Sequence, residues 1–138
     1  VYGWEKAGKS FEDFYKAEVQ SGTVPANIPV VGYKWWAAHV DYYFCQPLNL
    51  QLIGLGTLNE LHEYQWMNEN RKGKVNLSSA YCIVPSDEFY DVQQKYESYY
   101  SNIKLVKTID TYRSKQPAHY FYIYKLSGWK GQPVPGVR

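Results

Sequence analysis

Residues 28–54 read IPVVGYKWWAAHVDYYFCQPLNLQLIG, and this stretch decides the predicted fold. Its first part, Ile28–Tyr33, is short and β-branched, which predicts a buried strand. Lys34–Cys45 is apolar nearly all round, which is typical of a heavily buried helix, and Pro47 ends it. Leu50–Ile53 predicts a second short strand. The stretch is therefore interpreted as strand, helix and strand in succession.

Helices and strands continue to alternate outside this stretch. Glu5–Val19 carries apolar side chains at helical spacing with a charged opposite face, which predicts an amphipathic helix. Leu58–Asn70 is polar with scattered aromatic residues and is interpreted as either a short helix or a long loop. Ala80–Val84 predicts a third strand, and Ser86 is the predicted N-cap of a helix that ends at Asn102.

The last part of the chain predicts a β-hairpin. Two strands, Ile103–Tyr112 and His119–Leu126, are joined by a polar turn. The second strand is apolar on both faces, which is typical of a strand inside a sheet that is covered on both sides. The order α, β, α, β, (α), β, α, β, β predicts an α/β fold: a three-layer α/β/α sandwich whose mainly parallel sheet ends in an antiparallel hairpin. Residues 1–131 are assigned to a single α/β domain and residues 132–138 to an irregular tail.

Composition narrows the class of protein further. With 138 residues the chain is long enough for one core. Hydrophobic residues make up 45% and charged residues 20%, which excludes a disordered tail. The formal charge of +2, from 15 basic and 13 acidic residues, argues against a nucleic-acid partner. The chain begins at Val1 rather than Met, so we interpret it as a piece of a longer protein.

No catalytic or metal-binding constellation is recognisable. His62–Trp66 begins like the zinc-protease motif His-Glu-x-x-His, but Trp66 stands where the second ligand belongs. Gly54–Gly56 lacks the third glycine of a dinucleotide-binding loop. Cys45 and Cys82 are interpreted as two buried small hydrophobic residues, and a single disulfide bridge between them stays open. We expect no catalytic residue, metal or cofactor in this domain.

Aromatic residues provide the strongest local hint of function. They make up 18% of the chain and include 15 Tyr and 5 Trp. Flat rings with a polar edge are suited to stacking on sugars, although most of them belong to the core. We expect exposure only for Trp35, Tyr64 and Trp66, which flank strand ends of the kind where open α/β sheets bind ligands. With His62, these are the predicted ligand-binding residues.

Five short motifs follow one another along the chain: Gly3-Trp4, Pro29–Tyr33, Asp41–Phe44, Leu50–Gly54 and His62–Trp66. Their order and spacing resemble the soluble C-terminal domain of bacterial membrane glycosyltransferases, in the superfamily of protein mannosyltransferases and aminoarabinose transferases. The resemblance covers residues 2–131. The chain departs from the family pattern in one loop, because residues 56–61 contain no arginine and Tyr64 and Trp66 are two positions apart rather than three.

The resemblance implies a definite role within a larger enzyme. The catalytic acidic residue would belong to a transmembrane domain of the same polypeptide, and the donor would be a polyprenyl-phosphate sugar. This domain would lie on the extracytoplasmic (periplasmic) face of the inner membrane. There it would cap the active site or help to bind a glycan or glycolipid acceptor. The chain alone is expected to be inactive.

Two other interpretations stay open at this point. A stand-alone carbohydrate- or protein-binding module would also account for the aromatic clusters. A small enzyme of flavodoxin-like architecture would need a phosphate-binding loop after its first strand. Residues 31–36 contain one glycine and several bulky rings, which make a poor cradle for phosphate.

Overall fold

The computed structural model describes residues 3–32, 37–55, 75–88, 90–113 and 116–132. The helices are α1 (Trp4–Gln20), α2 (Ala37–Val40) with a π-helix (Asp41–Cys45) and a 3₁₀ turn (Gln46–Leu48) after it, a second 3₁₀ turn (Ser86–Glu88), and α3 (Val92–Tyr96). The strands are β1 (Val30–Gly32), β2 (Leu52–Gly54), β3 (Ser79–Pro85), β4 (Tyr100–Arg113) and β5 (Gln116–Trp129). No helix in the described ranges is long and apolar enough to cross a membrane.

The five strands form one mixed sheet in the order β2-β1-β3-β5-β4. β1 runs parallel to both β2 and β3, whereas β5 runs antiparallel to both β3 and β4. The predicted α/β fold and its antiparallel C-terminal hairpin are confirmed. The expectation of a mainly parallel sheet is wrong. The hairpin inserts β5 rather than β4 beside β3, so it adds an antiparallel pair on each side of β5.

One face of the sheet packs against α1 and is called the α1 face. Alternating strand positions supply its sheet side: Val30, Leu52, Tyr81, Ile83, Phe121 and Ile123. The helix supplies Ala7, Phe11 and Tyr15 from one stripe, as its apolar spacing predicts. The π-helix covers the rest of this face with Phe44 and Cys45.

The start of α1 is determined by Gly3. Its φ of 94° lies in the left-handed region, which favours glycine. A Cβ at this position would also stand 2.6 Å from Oγ1 of Thr111 in β4. The chain can therefore pass close to the sheet and place the indole of Trp4 edge-on against Phe121, with ring centroids 4.9 Å apart.

A second core lies on the other side of the sheet, called the opposite face. Its buried strand residues are Val31, Ile53, Ala80, Cys82, Val84 and Leu126. Val92 and Tyr96 of α3 and Tyr100 of β4 pack on them. Since β5 contributes Phe121 and Ile123 to one core and Leu126 to the other, its predicted place inside the sheet is confirmed.

The segment after β3 differs from the prediction. Ser86 does not cap a long helix: its Oγ accepts a hydrogen bond from the backbone N–H of Tyr120, 3.1 Å away. The helix is the short α3, whose N-cap is Asp91, with Oδ1 accepting from the N–H of Gln94. Tyr100 already belongs to β4, paired with Trp129, because strand pairing outweighs the helical spacing of the apolar residues.

Candidate functional site

A groove of 630 Å³ lies between α1 and the π-helix. The helix α1 lines it with Glu5, Gly8, Lys9 and Glu12, and the other wall is Tyr42, Tyr43, Gln46 and Pro47. The volume falls in the range of small-ligand sites. The groove combines an aromatic wall with charged and amide side chains.

Gly8 and Pro47 explain why the two walls approach so closely. Pro47 has no N–H, so it cannot donate the α-helical hydrogen bond to the carbonyl of Tyr43. The chain instead forms a π-helix, closed by the N–H of Gln46 donating to the carbonyl of Asp41. The Tyr43 carbonyl oxygen faces α1 so closely that a Cβ on Gly8 would overlap it. Only glycine at this point lets the floor of the groove close.

Tyr42 is the most exposed large aromatic ring in the described part of the chain, at 61% exposure. Its ring is not loose on the surface, because it meets Tyr43 edge-on with centroids 4.8 Å apart and planes at 83°. Tyr43 in turn packs against Trp4 of the core, 6.0 Å away. The Tyr42 ring is thus held by an aromatic chain that reaches into the protein. The expectation that exposure is confined to Trp35, Tyr64 and Trp66 is wrong at this residue.

Two polar side chains of the groove are held by neighbours that do not line it. Nζ of Lys16 donates to Oε1 of Glu12 at 2.8 Å, one turn along α1. This hydrogen bond lowers the pKa of Glu12 and raises the pKa of Lys16. Across the groove, Nε2 of Gln46 donates to Oδ2 of Asp41 at 3.0 Å, which fixes the amide at the rim.

This arrangement offers several groups that can bind a ligand. The lining residues include neither His nor Ser nor Cys, so the described groove contains no Ser–His or Cys–His pair. An exposed ring beside carboxylate and amide groups provides a stacking surface together with hydrogen-bond acceptors and donors. Those are the complementary groups for a hydroxyl-bearing ligand with an apolar face.

The second cluster of chemically active side chains lies in the core of the opposite face. Sγ of Cys82 is 3.2 Å from Oη of Tyr90, which is 3.3 Å from Oη of Tyr96. Burial raises the pKa of Cys82 to about 12, although the hydrogen bonds from the two tyrosines act to lower it. The thiol is therefore protonated near neutral pH and is a poor nucleophile. Both cysteines are buried and neither forms a disulfide, as predicted for small hydrophobic residues.

The four predicted ligand-binding residues, Trp35, His62, Tyr64 and Trp66, lie outside the described residues. The segments that contain them begin after Gly32 and Leu55. The N–H of Leu55 donates to the carbonyl of Gly32 at 3.2 Å, so the two segments start from neighbouring points at the carboxyl ends of β1 and β2. These residues stay predictions.

The sequence does not predict the groove, because a local pattern of apolar residues does not show which side chains face solvent. Lys34–Cys45 was interpreted as a helix that is buried nearly all round, but in its described part Ala38 and Tyr42 are exposed. Two signals were present in the sequence. Pro47 follows the aromatic run Tyr42–Phe44, and Gly8 interrupts an otherwise regular helix.

Comparison with protein-family models, with curated proteins and with solved structures found no match to this chain. Its function is therefore argued from the residues, their geometry and the resemblance described above.

Proposed function

We propose that this chain is the extracytoplasmic accessory domain of a membrane glycosyltransferase that uses a polyprenyl-phosphate sugar. Its task is to bind the glycan part of the acceptor beside the active site of the transmembrane domain. The ordered motifs from Gly3-Trp4 to His62–Trp66 support the assignment to this class of enzyme. In the complete domain, we propose a three-layer α/β/α arrangement, which the cores on both faces of the sheet support.

The observation that carries the acceptor-binding role is the exposed ring of Tyr42. It is oriented by Tyr43 and lines the same groove as Glu5, Glu12 and Gln46. A sugar ring stacks its apolar face on such an aromatic side chain, while its hydroxyl groups donate to carboxylates and accept from an amide. The domain would thus hold the acceptor without taking part in the chemistry.

The first test is the reading frame that contains this chain. We expect several apolar spans of about 20 residues upstream of Val1, with an acidic pair in the first outer loop. A frame that begins within a few residues of Val1 would overturn the glycosyltransferase assignment. The stand-alone carbohydrate- or protein-binding module would then be the better interpretation.

The second test addresses the groove in the full-length enzyme. Tyr42→Ala should raise KM for the acceptor by about tenfold and leave kcat unchanged, since stacking contributes to binding alone. Tyr42→Phe keeps the ring and should behave like the wild type. Thermal unfolding should be the same for all three proteins, because Tyr42 is mostly exposed. An unchanged KM in Tyr42→Ala would contradict the proposed role of the groove.

A further inference from the structure

A second concavity, called the amide pocket, lies at the amino ends of β1, β2 and β3. Its volume is 380 Å³. Six uncharged polar side chains line it: Asn27, Asn49, Gln51, Asn76, Ser78 and Ser79. The other lining residues are proline, alanine and valine, so the described lining contains no ionisable side chain. A pocket of this composition has no group with which to neutralise a charged ligand.

The pocket is held open by backbone hydrogen bonds of the sheet. The N–H of Val30 donates to the carbonyl of Gln51 at 2.9 Å, and the N–H of Tyr81 donates to the carbonyl of Pro29 at 3.0 Å. Asn49, with φ of 56°, ends the 3₁₀ turn in front of β2. The loops that form the walls are thereby tied to three adjacent strands, which preorganises the pocket.

Gln51 lines this pocket and carries a buried acceptor. Its Oε1 has no hydrogen-bond partner among the described residues, although solvent scarcely reaches it. Leaving an amide oxygen buried without a donor costs free energy. A leucine of similar size would avoid that cost, because it has no polar atom to leave unsatisfied. Turning this amide toward the pocket would let a ligand donate a hydrogen bond to its oxygen.

Asn76 is suited to the opposite role. Its Oδ1 accepts hydrogen bonds from both the N–H and the Oγ of Ser78. Both lone pairs are thus in use, and the amide N–H groups are what it can offer to a ligand. A ligand that satisfies both residues must donate to Gln51 and accept from Asn76. Hydroxyl groups do both, whereas phosphate and carboxylate groups accept and ammonium groups donate.

We propose that the amide pocket is a binding site for a neutral, hydroxyl-rich ring of the size of one sugar unit. The site is separate from the groove between α1 and the π-helix, with which it shares no lining residue. It does not rest on the proposed glycosyltransferase function. A free-standing domain with this pocket would bind the same class of ligand.

The experiment is a titration of the isotope-labelled chain with glucose, mannose, galactose and N-acetylglucosamine, followed by NMR. At least one sugar should shift the side-chain amide signals of Gln51 and Asn76 at millimolar concentration. Glucose 6-phosphate should bind about tenfold more weakly than glucose, because the pocket cannot pair its charge.

Gln51→Leu tests the role of the buried acceptor. The variant should bind the sugar about tenfold more weakly, and its melting temperature should be equal to or above that of the wild type. Gln93→Leu is the matched control, since it makes the same replacement at an exposed position of α3. It should bind as the wild type does.

Three results would overturn the amide pocket as a sugar site: no shift with any of the four sugars, equal binding by Gln51→Leu, or tighter binding of the phosphorylated sugar. Shifts confined to the side-chain amide of Gln46 would place the sugar in the groove instead. That outcome would reject the amide pocket and leave the proposed function standing. Conversely, sugar binding at Gln51 together with a normal KM in Tyr42→Ala would reject the groove alone.

Discussion

The α1 face of the sheet contains aromatic rings that meet edge to face, whereas on the opposite face two tyrosine hydroxyl groups and a thiol lie in a chain of hydrogen-bond contacts. On the α1 face, Phe11 lies 5.6 Å from Phe44 and 5.5 Å from Tyr81, both at steep angles. On the opposite face, Cys82, Tyr90 and Tyr96 are joined by hydrogen-bond distances. Stability on the α1 face depends on how closely the side chains fill the space between helix and sheet. Stability on the opposite face depends on hydrogen bonds to its buried polar groups.

The largest effect expected is at the helix contact of the α1 face. Gly8→Ala should lower the free energy of unfolding by about 3 kcal/mol, because the new Cβ overlaps the Tyr43 carbonyl and the backbone must move. Ser10→Ala, at an exposed position of the same helix, should change it by less than about 0.5 kcal/mol. Urea denaturation of both variants measures the difference. Equal stability would show that the two walls of the groove can separate freely.

A change of pH should act on the opposite face. Burial raises the pKa of Cys82 from 9.0 to about 12, so this thiol ionises in the unfolded chain before it does in the folded protein. Its contribution to stability is fully present below pH 9.0 and is lost as the pH rises toward 12. Each pH unit in that window should cost about 1 kcal/mol.

Cys82→Ala provides the comparison for this pH effect. The variant keeps all the tyrosines, so the difference in slope between the two proteins over roughly pH 8 to 10 reports the thiol. Thermal unfolding across this range should show a shallower decline for the variant. Parallel curves for wild type and variant would contradict the assigned cause.

The smallest change in the free energy of unfolding is expected when the hydroxyl group of either of two tyrosines on the opposite face is removed. Tyr96→Phe removes a hydroxyl that contacts Tyr90, and should lower the free energy of unfolding by about 1 kcal/mol. The hydroxyl of Tyr100 is buried but has no partner among the described residues, so Tyr100→Phe should cost nothing or stabilise the fold. Chemical denaturation of both variants measures the two free energies of unfolding. A larger loss for Tyr100→Phe would show that the hydroxyl contacts differ from those described.

Local patterns predicted the elements where one kind of spacing dominates. The four-residue spacing of Ala7, Phe11 and Tyr15 predicted α1, and the strand around Phe121 and Ile123, apolar on both faces, lies inside the sheet. Prediction failed between Ser86 and Tyr100, where helical spacing competes with strand pairing. Tyr100 joins β4 because it pairs with Trp129 of β5. This partner lies 29 positions further along the chain, so a local sequence pattern does not reveal the pairing.

The sequence by itself determined the α/β class, the hairpin and the burial of both cysteines. Only the tertiary structure decided that β5 lies beside β3, that Tyr42 faces solvent, and that Gln51 holds a buried acceptor. The reason is physical. The periodicity of apolar residues shows which side of a helix or strand is buried. Contacts between residues far apart in the chain decide the strand order, the groove beside Gly8 and the surroundings of the Gln51 side chain.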